Sequence, residues 1–357
     1  MPSLSVIVPT YRRPTLLRRA IASVLGQTYR DLVVLVFDNA SGDETESVVA
    51  RFAARDSRVR YVCRERNIGG PENFARALDD VETPYFAFLS DDDALFPRCY
   101  EICLRGFAAA PDALMSAAST LEMDAQGSIR FSPLGLWPRD GVYHPPESIL
   151  RMLDNRHPTW TSVVFKREAL ALVGGLDLAV GPPSDLDFEL RIAARFPIVV
   201  DRTPSAVFSA HADSNTARQN AAIADGMLLM SEKLAADERI PATTRAAIGT
   251  RLARQIRFKL FEVCVKALVR GDDEVARQAF ERLRSRDDGG VLRVTCGLLI
   301  GACRVIPGAR ALLRAAERAR LAARARRAAA TVGAYDIRSD LRWLQSIAEP
   351  PEASTQA

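Results

Sequence analysis

The chain has 357 residues, 48% of them hydrophobic, and a formal net charge of +4. That is enough apolar material to bury one large core or two smaller ones. The six cysteines show no CxxC spacing, which argues against both a zinc site and a small disulfide scaffold. Reduced thiols in a cytosolic protein are the expectation.

The charge is divided unevenly along the chain. Residues 1–215 carry 23 Lys and Arg against 28 Asp and Glu, a net of −5, whereas residues 216–357 carry 25 against 16, a net of +9. An acidic first half argues against nucleic acid as a partner. A basic second half favours an anionic partner, of which a membrane surface is the simplest.

Strand and helix patterns alternate over the first part of the chain. Short apolar runs predict strands at 4–8, 32–37, 58–63 and 85–89, and apolar residues at helical spacing predict helices at 14–27, 43–55 and 71–80. Repeated strand–helix units indicate an α/β fold with a mostly parallel, doubly wound, Rossmann-like sheet.

Polar clusters follow each predicted strand. They lie at 9–11 (PTY), 38–39 (DN), 64–67 (RERN) and 90–93 (SDDD). Ligands of such sheets bind beyond the carboxyl ends of the strands, at a switch in strand order. The sequence therefore predicts a binding site at this edge of the sheet.

The run Ser90-Asp91-Asp92-Asp93 directly follows the apolar stretch 84–89. Three carboxylates this close repel one another, and each needs a cation, a hydrogen-bond donor or water. A divalent metal that carries a diphosphate would meet all of these needs. The run therefore predicts a metal and diphosphate site.

The pattern becomes mixed after residue 97 and almost wholly helical after about residue 220. We therefore expect an α/β domain at 1–215 and a helical, basic region at 216–357. The apolar stretch 294–302 is far shorter than the ~20 residues that span a bilayer, so no transmembrane helix is predicted, and the N-terminus predicts no signal peptide. Residues 304–327, with eight Arg and one Glu, form either a solvated helical face or a surface-lying membrane anchor.

Six segments, in order, resemble the motifs of the family 2 glycosyltransferases. They are 5–11 (SVIVPTY), 36–45 (VFDNASGDET), 66–70 (RNIGG), 88–93 (FLSDDD), 174–177 (GGLD) and 184–191 (SDLDFELR). The resemblance covers roughly residues 1–215. It implies a GT-A fold, a nucleotide-sugar donor, and transfer of the sugar with inversion at the anomeric carbon.

The resemblance also implies a donor site at the strand ends. The family's donor-binding positions fall on Pro9, Thr10, Tyr11, Asp38, Asn67, Gly69 and Asp91. The first three would pack around the base, Asp38 would accept hydrogen bonds from the base or ribose, and the others would lie along the ribose and diphosphate. The alternatives stay open: Asp38 is equally typical of a turn, Tyr11 of a rim aromatic, and Gly69 of an ordinary turn before a helix.

For the metal, the family commonly has Asp-x-Asp-Asp after the apolar strand, whereas this chain has Ser90 at the first acidic position. Alignment on the strand makes Asp92 the implied ligand, with Asp93 and His211 as further candidates. Oxygen ligands suit Mg²⁺ or Mn²⁺. The alternatives are a helix cap at Asp93 and a solvent-facing loop histidine at His211.

An inverting transfer needs a base that accepts the proton of the acceptor hydroxyl. The resemblance implies Asp185, the second member of the family's Glu-Asp pair, whose Glu is Ser184 in this chain. The alternative is a structural helix start, with Ser184 as the N-cap and Asp185 and Asp187 in the first turn. Trp160 and Asp187 are candidates for acceptor contacts, although Trp160 is equally typical of a core residue.

Together these expectations describe a metal-dependent inverting glycosyltransferase of the hexosyltransferase type. The resemblance implies a UDP-linked sugar as the commonest donor, and a saccharide or lipid-linked saccharide as the acceptor. It implies a role in bacterial cell-surface polysaccharide synthesis at the inner face of the cytoplasmic membrane. The alternative is an inactive nucleotide-sugar or polysaccharide binding module. A sugar-nucleotide pyrophosphorylase and a dinucleotide oxidoreductase are disfavoured because no glycine-rich phosphate loop follows the first strand.

Overall fold

The computed structural model describes residues 2–124, 128–210, 220–285, 290–333 and 335–348. Contacts divide the chain into two units. The first takes the described parts of 1–178, 188–210 and 328–357, and the second those of 179–187 and 211–327. The boundary at residue 215 stays a prediction. The structure adds that the last part of the chain groups with the first unit.

The first unit is built around a ten-stranded sheet. Its strands are β1 (Leu4–Thr10), β2 (Leu32–Asp38), β3 (Val59–Cys63), β4 (Tyr85–Phe88), β5 (Ala94–Leu95), β6 (Met115–Asp124), β7 (Ile129–Phe131), β8 (Gly141–Tyr143), β9 (Val163–Lys166) and β10 (Ile198–Ala210). Hydrogen bonds order them β3-β2-β1-β4-β9-β6-β10-β5, with β7 paired to β6 and β8 to β10.

The N-terminal half of this sheet is parallel, as the alternating pattern predicts. β1 pairs in parallel with β2 and β4, and β2 pairs in parallel with β3. Every residue of β1 and β2 is buried, which explains their near-continuous apolar sequences. The register sets Thr10 beside Asp38, so the two strands end at one edge with polar side chains there.

The other half of the sheet is mixed. β9 pairs antiparallel with β4 and β6, β5 pairs antiparallel with β10, and β6 and β10 are parallel. Strand β5 is only two residues long, and Leu95 pairs with Ala206 of β10. The acidic run therefore lies in a short loop that is held at both ends, by β4 and by β5.

The helices up to residue 193 are α1 (Pro14–Leu25), α2 (Thr45–Ala53), α3 (Gly70–Ala77), α4 (Cys99–Ala109), α5 (Glu147–Arg151), α6 (Glu168–Val173) and α7 (Ser184–Ala193). Helix α1 begins with Pro14, whose missing N–H costs nothing in a first turn, and buries Leu17, Ile21 and Val24 at helical spacing. The main core joins residues of the parallel strands to α1 and α4.

The remaining helices are α8 (Asn220–Ala236), α9 (Ala242–Arg270), α10 (Asp273–Arg284), α11 (Gly290–Val305), α12 (Ala309–Val332) and α13 (Arg338–Ala348). Helix α9 buries Ile248, Leu252, Ile256 and Leu260 at four-residue spacing. It ends at Gly271 in the left-handed conformation, with φ 87°, as helices commonly do. Within the described ranges, no helix combines the length and the apolar character needed to cross a bilayer.

Candidate functional site

Hydrogen bonds join the loops that follow β1 and β2. The Arg12 backbone N–H donates to Ser41 Oγ at 2.9 Å, and Arg12 Nε donates to the Ser41 carbonyl at 3.1 Å. Arg12 and Ala40 have φ values of 55° and 60°, and side chains make this left-handed region cost about 1–2 kcal/mol per residue. Such strain is concentrated at functional sites. Tyr11, beside them, is 36% exposed, as a rim aromatic would be.

Asp38 ends β2 as a buried carboxylate with both oxygens engaged. Oδ1 accepts hydrogen bonds from the Ser41 N–H at 3.0 Å and the Ser41 hydroxyl at 2.5 Å, and Oδ2 accepts one from the Tyr61 hydroxyl at 2.6 Å. Burial and the bond to Asp38 raise the pKa of Tyr61 far above its ordinary value, so Tyr61 remains a donor. The turn that the sequence allows at Asp38 is present, and its contact with a nucleotide stays a prediction.

Asn39 connects this turn to the loop after β3. Asn39 Nδ2 donates to Asn67 Oδ1 at 2.9 Å, and Asn39 Oδ1 accepts from the Ile68 N–H at 2.9 Å. Asn67 Oδ1 also accepts from the N–H of Gly69 at 2.8 Å. Gly69 has φ 88°, which a side chain would disfavour. The structure thus brings the predicted donor loops after β1, β2 and β3 together at one edge.

Arg13 bridges the first two carboxylates of the acidic run. Its Nη1 lies 3.2 Å from Asp91 Oδ1 and 2.9 Å from Asp92 Oδ2, and the Thr10 hydroxyl donates to Asp91 Oδ2 at 2.7 Å. Burial raises the pKa of Asp91, against the opposing effects of Thr10 and Arg13. Arg13 was not among the residues predicted from the sequence. It could have been found from its position: Arg13 closely follows the polar end of β1, and β1 ends at the same edge of the sheet as the acidic run.

Asp93 is the buried anchor of the run. Its Oδ2 accepts from the Thr161 hydroxyl at 2.6 Å, and its Oδ1 accepts from the Ser209 N–H at 3.0 Å. Burial, and then the charge of Asp92, raise the pKa of Asp93 to about 7. With both oxygens engaged inside the protein, Asp93 has the placement of a supporting residue. Its predicted role as a metal ligand stays a prediction.

Two further side chains fix the main chain at Asp92. The Asp92 carbonyl accepts from Ser209 Oγ at 2.6 Å and from Arg19 Nη2 at 2.5 Å, and Arg19 Nη2 also donates to Ser209 Oγ at 3.0 Å. Neither residue was predicted from the sequence, because they lie 190 positions apart and neither belongs to a polar motif. The side chain of Asp92 is 15% exposed against 7% for Asp91, so Asp92 is the more accessible of the two.

Trp160 packs in an aromatic cluster of the first unit. Its ring stacks on Phe88 with the centroids 4.3 Å apart and the planes at 14°. The cluster also contains Phe74, Phe86, Phe165 and Phe188. The indole N–H is buried and has no hydrogen-bond partner in the part of the chain that the structure describes. Trp160 is thus half-buried with its ring packed in this cluster, and its contact with an acceptor stays a prediction.

The two predicted acids of α7 differ in exposure. Asp185 is exposed and its Oδ1 accepts from the Leu186 N–H at 2.7 Å, whereas Asp187 is fully buried. Both lie in the first turn of the helix, where the helix dipole favours a carboxylate. The roles of Asp185 as base and of Asp187 in acceptor binding stay predictions. His211, the third metal candidate, lies outside the described residues.

The acidic run provides a donor set for a divalent metal, although it does not form a complete metal site. The described ranges hold no group of three or more His, Cys, Asp and Glu side chains arranged around one ion. Asp91 and Asp92 approach the same guanidinium nitrogen within 3.2 Å. One or two carboxylates, completed by substrate phosphates, are the usual ligands of Mg²⁺. These residues therefore fit a metal that arrives with a diphosphate.

Comparison with known proteins gives a family match over the part of the chain that contains the donor loops and the acidic run. Residues 5–172 match the family model described as Glycosyl transferase family 2. The chain is 42% identical over 96 residues to the GalNAc(5)-diNAcBac-PP-undecaprenol beta-1,3-glucosyltransferase of Campylobacter jejuni, a match that covers 27% of this chain and 31% of that protein. The match thus spans less than a third of the length of this curated relative.

Two solved structures resemble most of the chain. S. aureus TarS 1-349 in complex with UDP-GlcNAc has a TM-score of 0.62 at 14% identity, over 89% of this chain and 92% of that one. The mannosyltransferase PcManGT from Pyrobaculum calidifontis, in complex with GDP-Man and Mn²⁺, has a TM-score of 0.52 at 18% identity, over 88% and 86%. At these identities the likeness shows the fold. The predicted fold class, α/β with a helical C-terminal region, is confirmed.

Proposed function

Because this chain belongs to glycosyltransferase family 2 and has a GT-A fold, we propose that it transfers a sugar from a nucleoside-diphosphate donor to an acceptor hydroxyl, with inversion at the anomeric carbon. The supporting observation is the pair of carboxylates of Asp91 and Asp92, which share the single guanidinium of Arg13 at the carboxyl end of β4. The oxygens of two adjacent carboxylates are ligands that suit Mg²⁺ or Mn²⁺.

The proposed metal is Mg²⁺ or Mn²⁺, held by Asp92 with Asp91 beside it and with His211 as a predicted further ligand. When bound, it would neutralise the diphosphate leaving group as the glycosidic bond breaks. The protein prepares the ligands beforehand. Thr10 and Arg13 orient the Asp91 carboxylate, and Arg13 also holds Asp92, so little reorganisation is needed when the charge develops.

The proposed donor site is the edge formed by the loops after β1, β2 and β3. The bonds of Asp38 to Ser41 and of Asn39 to Asn67 hold these loops, so a nucleotide would meet preformed backbone and side-chain groups. UDP-linked sugars are the proposed donors, which the UDP-GlcNAc complex of TarS supports. The GDP-Man complex of PcManGT keeps GDP-linked donors as an alternative.

The proposed base is Asp185. It is exposed and lies in the first turn of α7, where the helix dipole favours a carboxylate. A general base must be deprotonated before it can accept the proton of an acceptor hydroxyl. The acceptor is proposed to be a saccharide or a lipid-linked saccharide at the inner face of the cytoplasmic membrane. This is supported by the name of the Campylobacter jejuni relative and by the net charge of +9 over residues 216–357.

The test is nucleotide release from a panel of UDP-, dTDP- and GDP-sugars, with and without Mn²⁺ and with added oligosaccharide acceptors. We expect metal-dependent release from one donor class. Asp92→Asn should lower the rate by about 100-fold or more, because it removes a preorganised electrostatic contact. Asp112→Asn, an exposed acid in the loop before β6, is the control and should keep the rate. Donor binding without any release or transfer would support the inactive binding module instead.

A further inference from the structure

An exposed apolar stripe runs along α11. Val291, Val294, Leu298 and Val305 are 57–81% exposed, and at 3.6 residues per turn they fall on one narrow face of the helix. The opposite face carries the buried Cys296. A helix on the surface of a globular protein normally turns its polar residues to the solvent. In α11 the side that faces the solvent is apolar instead.

Two more exposed apolar side chains follow the helix in sequence. Ile306 is 57% exposed and Leu312 is 73% exposed. With the four residues of α11 they form what we call the apolar stripe. It contains six of the eleven large hydrophobic side chains that are exposed in the described ranges. Single exposed hydrophobic residues are ordinary, whereas a group such as the four on one face of α11 marks a surface that meets something apolar.

Positive charge is concentrated in the sequence around the stripe. Residues 290–327 contain nine Arg and a single Glu, a net of +8. Arg310 and Arg320 pair with Asp273 and Glu317, whereas Arg304, Arg314 and Arg318 are exposed beside the stripe in sequence. A second copy of this chain would bring the same charge against itself, and like charges repel. A surface that is anionic outside and apolar beneath would suit both the apolar stripe and the excess of arginine.

We propose that the apolar stripe lies in the interface of an anionic lipid membrane, with the neighbouring arginines against the lipid phosphates. Helix α11 has 16 residues and is about 24 Å long, so it lies along the surface and does not cross the bilayer. An apolar face flanked by arginine is the usual form of an interfacial helix. From the sequence, 304–327 was either a solvated face or an anchor, whereas most of the apolar residues of the stripe belong to α11. The stripe contains none of the donor-site residues, and its membrane binding does not depend on the proposed sugar transfer.

The test uses the full chain in flotation with phosphatidylcholine vesicles, with and without phosphatidylglycerol. We expect binding only to the vesicles with phosphatidylglycerol, and weaker binding as salt is raised. The double substitution Val294→Glu and Leu298→Glu should weaken binding by tenfold or more, since it places charge in the apolar layer. Arg314→Glu with Arg318→Glu should weaken it on the order of tenfold and reduce its salt dependence.

Leu172→Glu is the matched control. Leu172 is 40% exposed on α6, outside the stripe, so its substitution should leave vesicle binding unchanged. Circular dichroism checks that each variant folds, and nucleotide release without vesicles should be the same in all of them. Equal binding to both vesicle types, or binding that Val294→Glu with Leu298→Glu leaves intact, would overturn the proposal. The proposal would also fail if the wild-type chain were a dimer that this pair of substitutions converts to a monomer. It would fail as well if the chain bound an acidic protein but no vesicles.

Discussion

The Thr161 hydroxyl donates a 2.6 Å hydrogen bond to Oδ2 of the buried Asp93. The two residues lie 68 positions apart. The bond ties the loop between β4 and β5 to the turn Trp160–Ser162, next to the stacked pair Trp160 and Phe88. The position of the acidic run thus depends on a part of the chain that carries none of its charge.

Thr161→Val should lower the free energy of unfolding by about 1–3 kcal/mol, because it leaves a buried carboxyl oxygen without its donor. Urea denaturation measures this change. Thr28→Val is the control, since the exposed Thr28 hydroxyl bonds to Glu101 at the surface, and its effect should stay within about 0.5 kcal/mol. Equal effects of the two substitutions would mean that the buried bond to Asp93 contributes no more to the free energy of unfolding than an exposed one.

Gly69 and Gly70 form a matched pair at the start of α3. A Cβ at either position would meet no atom within 4 Å, but only Gly69 has a positive φ, of 88°. Gly69→Ala should therefore lower the free energy of unfolding by about 1–2 kcal/mol through backbone strain alone. Gly70→Ala should stay within about 0.5 kcal/mol of the wild type. Denaturation curves of the two variants, with similar slopes, give the comparison. A neutral Gly69→Ala would contradict the assigned turn.

Arg13→Gln should tighten the binding of Mn²⁺ in the absence of nucleotide. The substitution removes a positive charge that lies within 3.2 Å of both Asp91 and Asp92. Two unit charges 4 Å apart interact by about 4 kcal/mol near a protein surface, so we expect at least about a tenfold gain in affinity. Electron paramagnetic resonance of free Mn²⁺ measures it. Arg51→Gln, an exposed arginine of α2, should change nothing. Unchanged affinity in Arg13→Gln would argue against these carboxylates as the metal ligands.

Asp185→Asn should abolish transfer while donor binding survives, because an amide cannot accept the proton of the acceptor hydroxyl. A loss of about 100-fold to 10,000-fold in turnover is the expected range for a general base. Product formation and donor affinity are measured on the same preparation. The control is Glu168→Gln, an exposed acid in the first turn of α6. Transfer that persists in Asp185→Asn would remove Asp185 as the base.

The sequence determined the parallel half of the sheet and the place of the candidate site. Strands β1 to β4 and helices α1 to α3 were visible because their apolar spacing is local and strong. Since parallel strands end at one edge, the polar residues that follow them had to meet there. Within these polar clusters, the resemblance to the family 2 glycosyltransferases singled out Asp38, Asn67 and Asp91.

The tertiary structure alone decided which of these groups hold one another. The contacts of Arg13 with Asp92, of Thr161 with Asp93 and of Ser209 with the Asp92 carbonyl join distant parts of the chain, and no local pattern encodes such pairings. The mixed pairing of β5, β6, β9 and β10 was hidden for the same reason. The exposed side of α11 was hidden too, because apolar spacing gives the period of a helix but does not show which face the rest of the protein leaves uncovered.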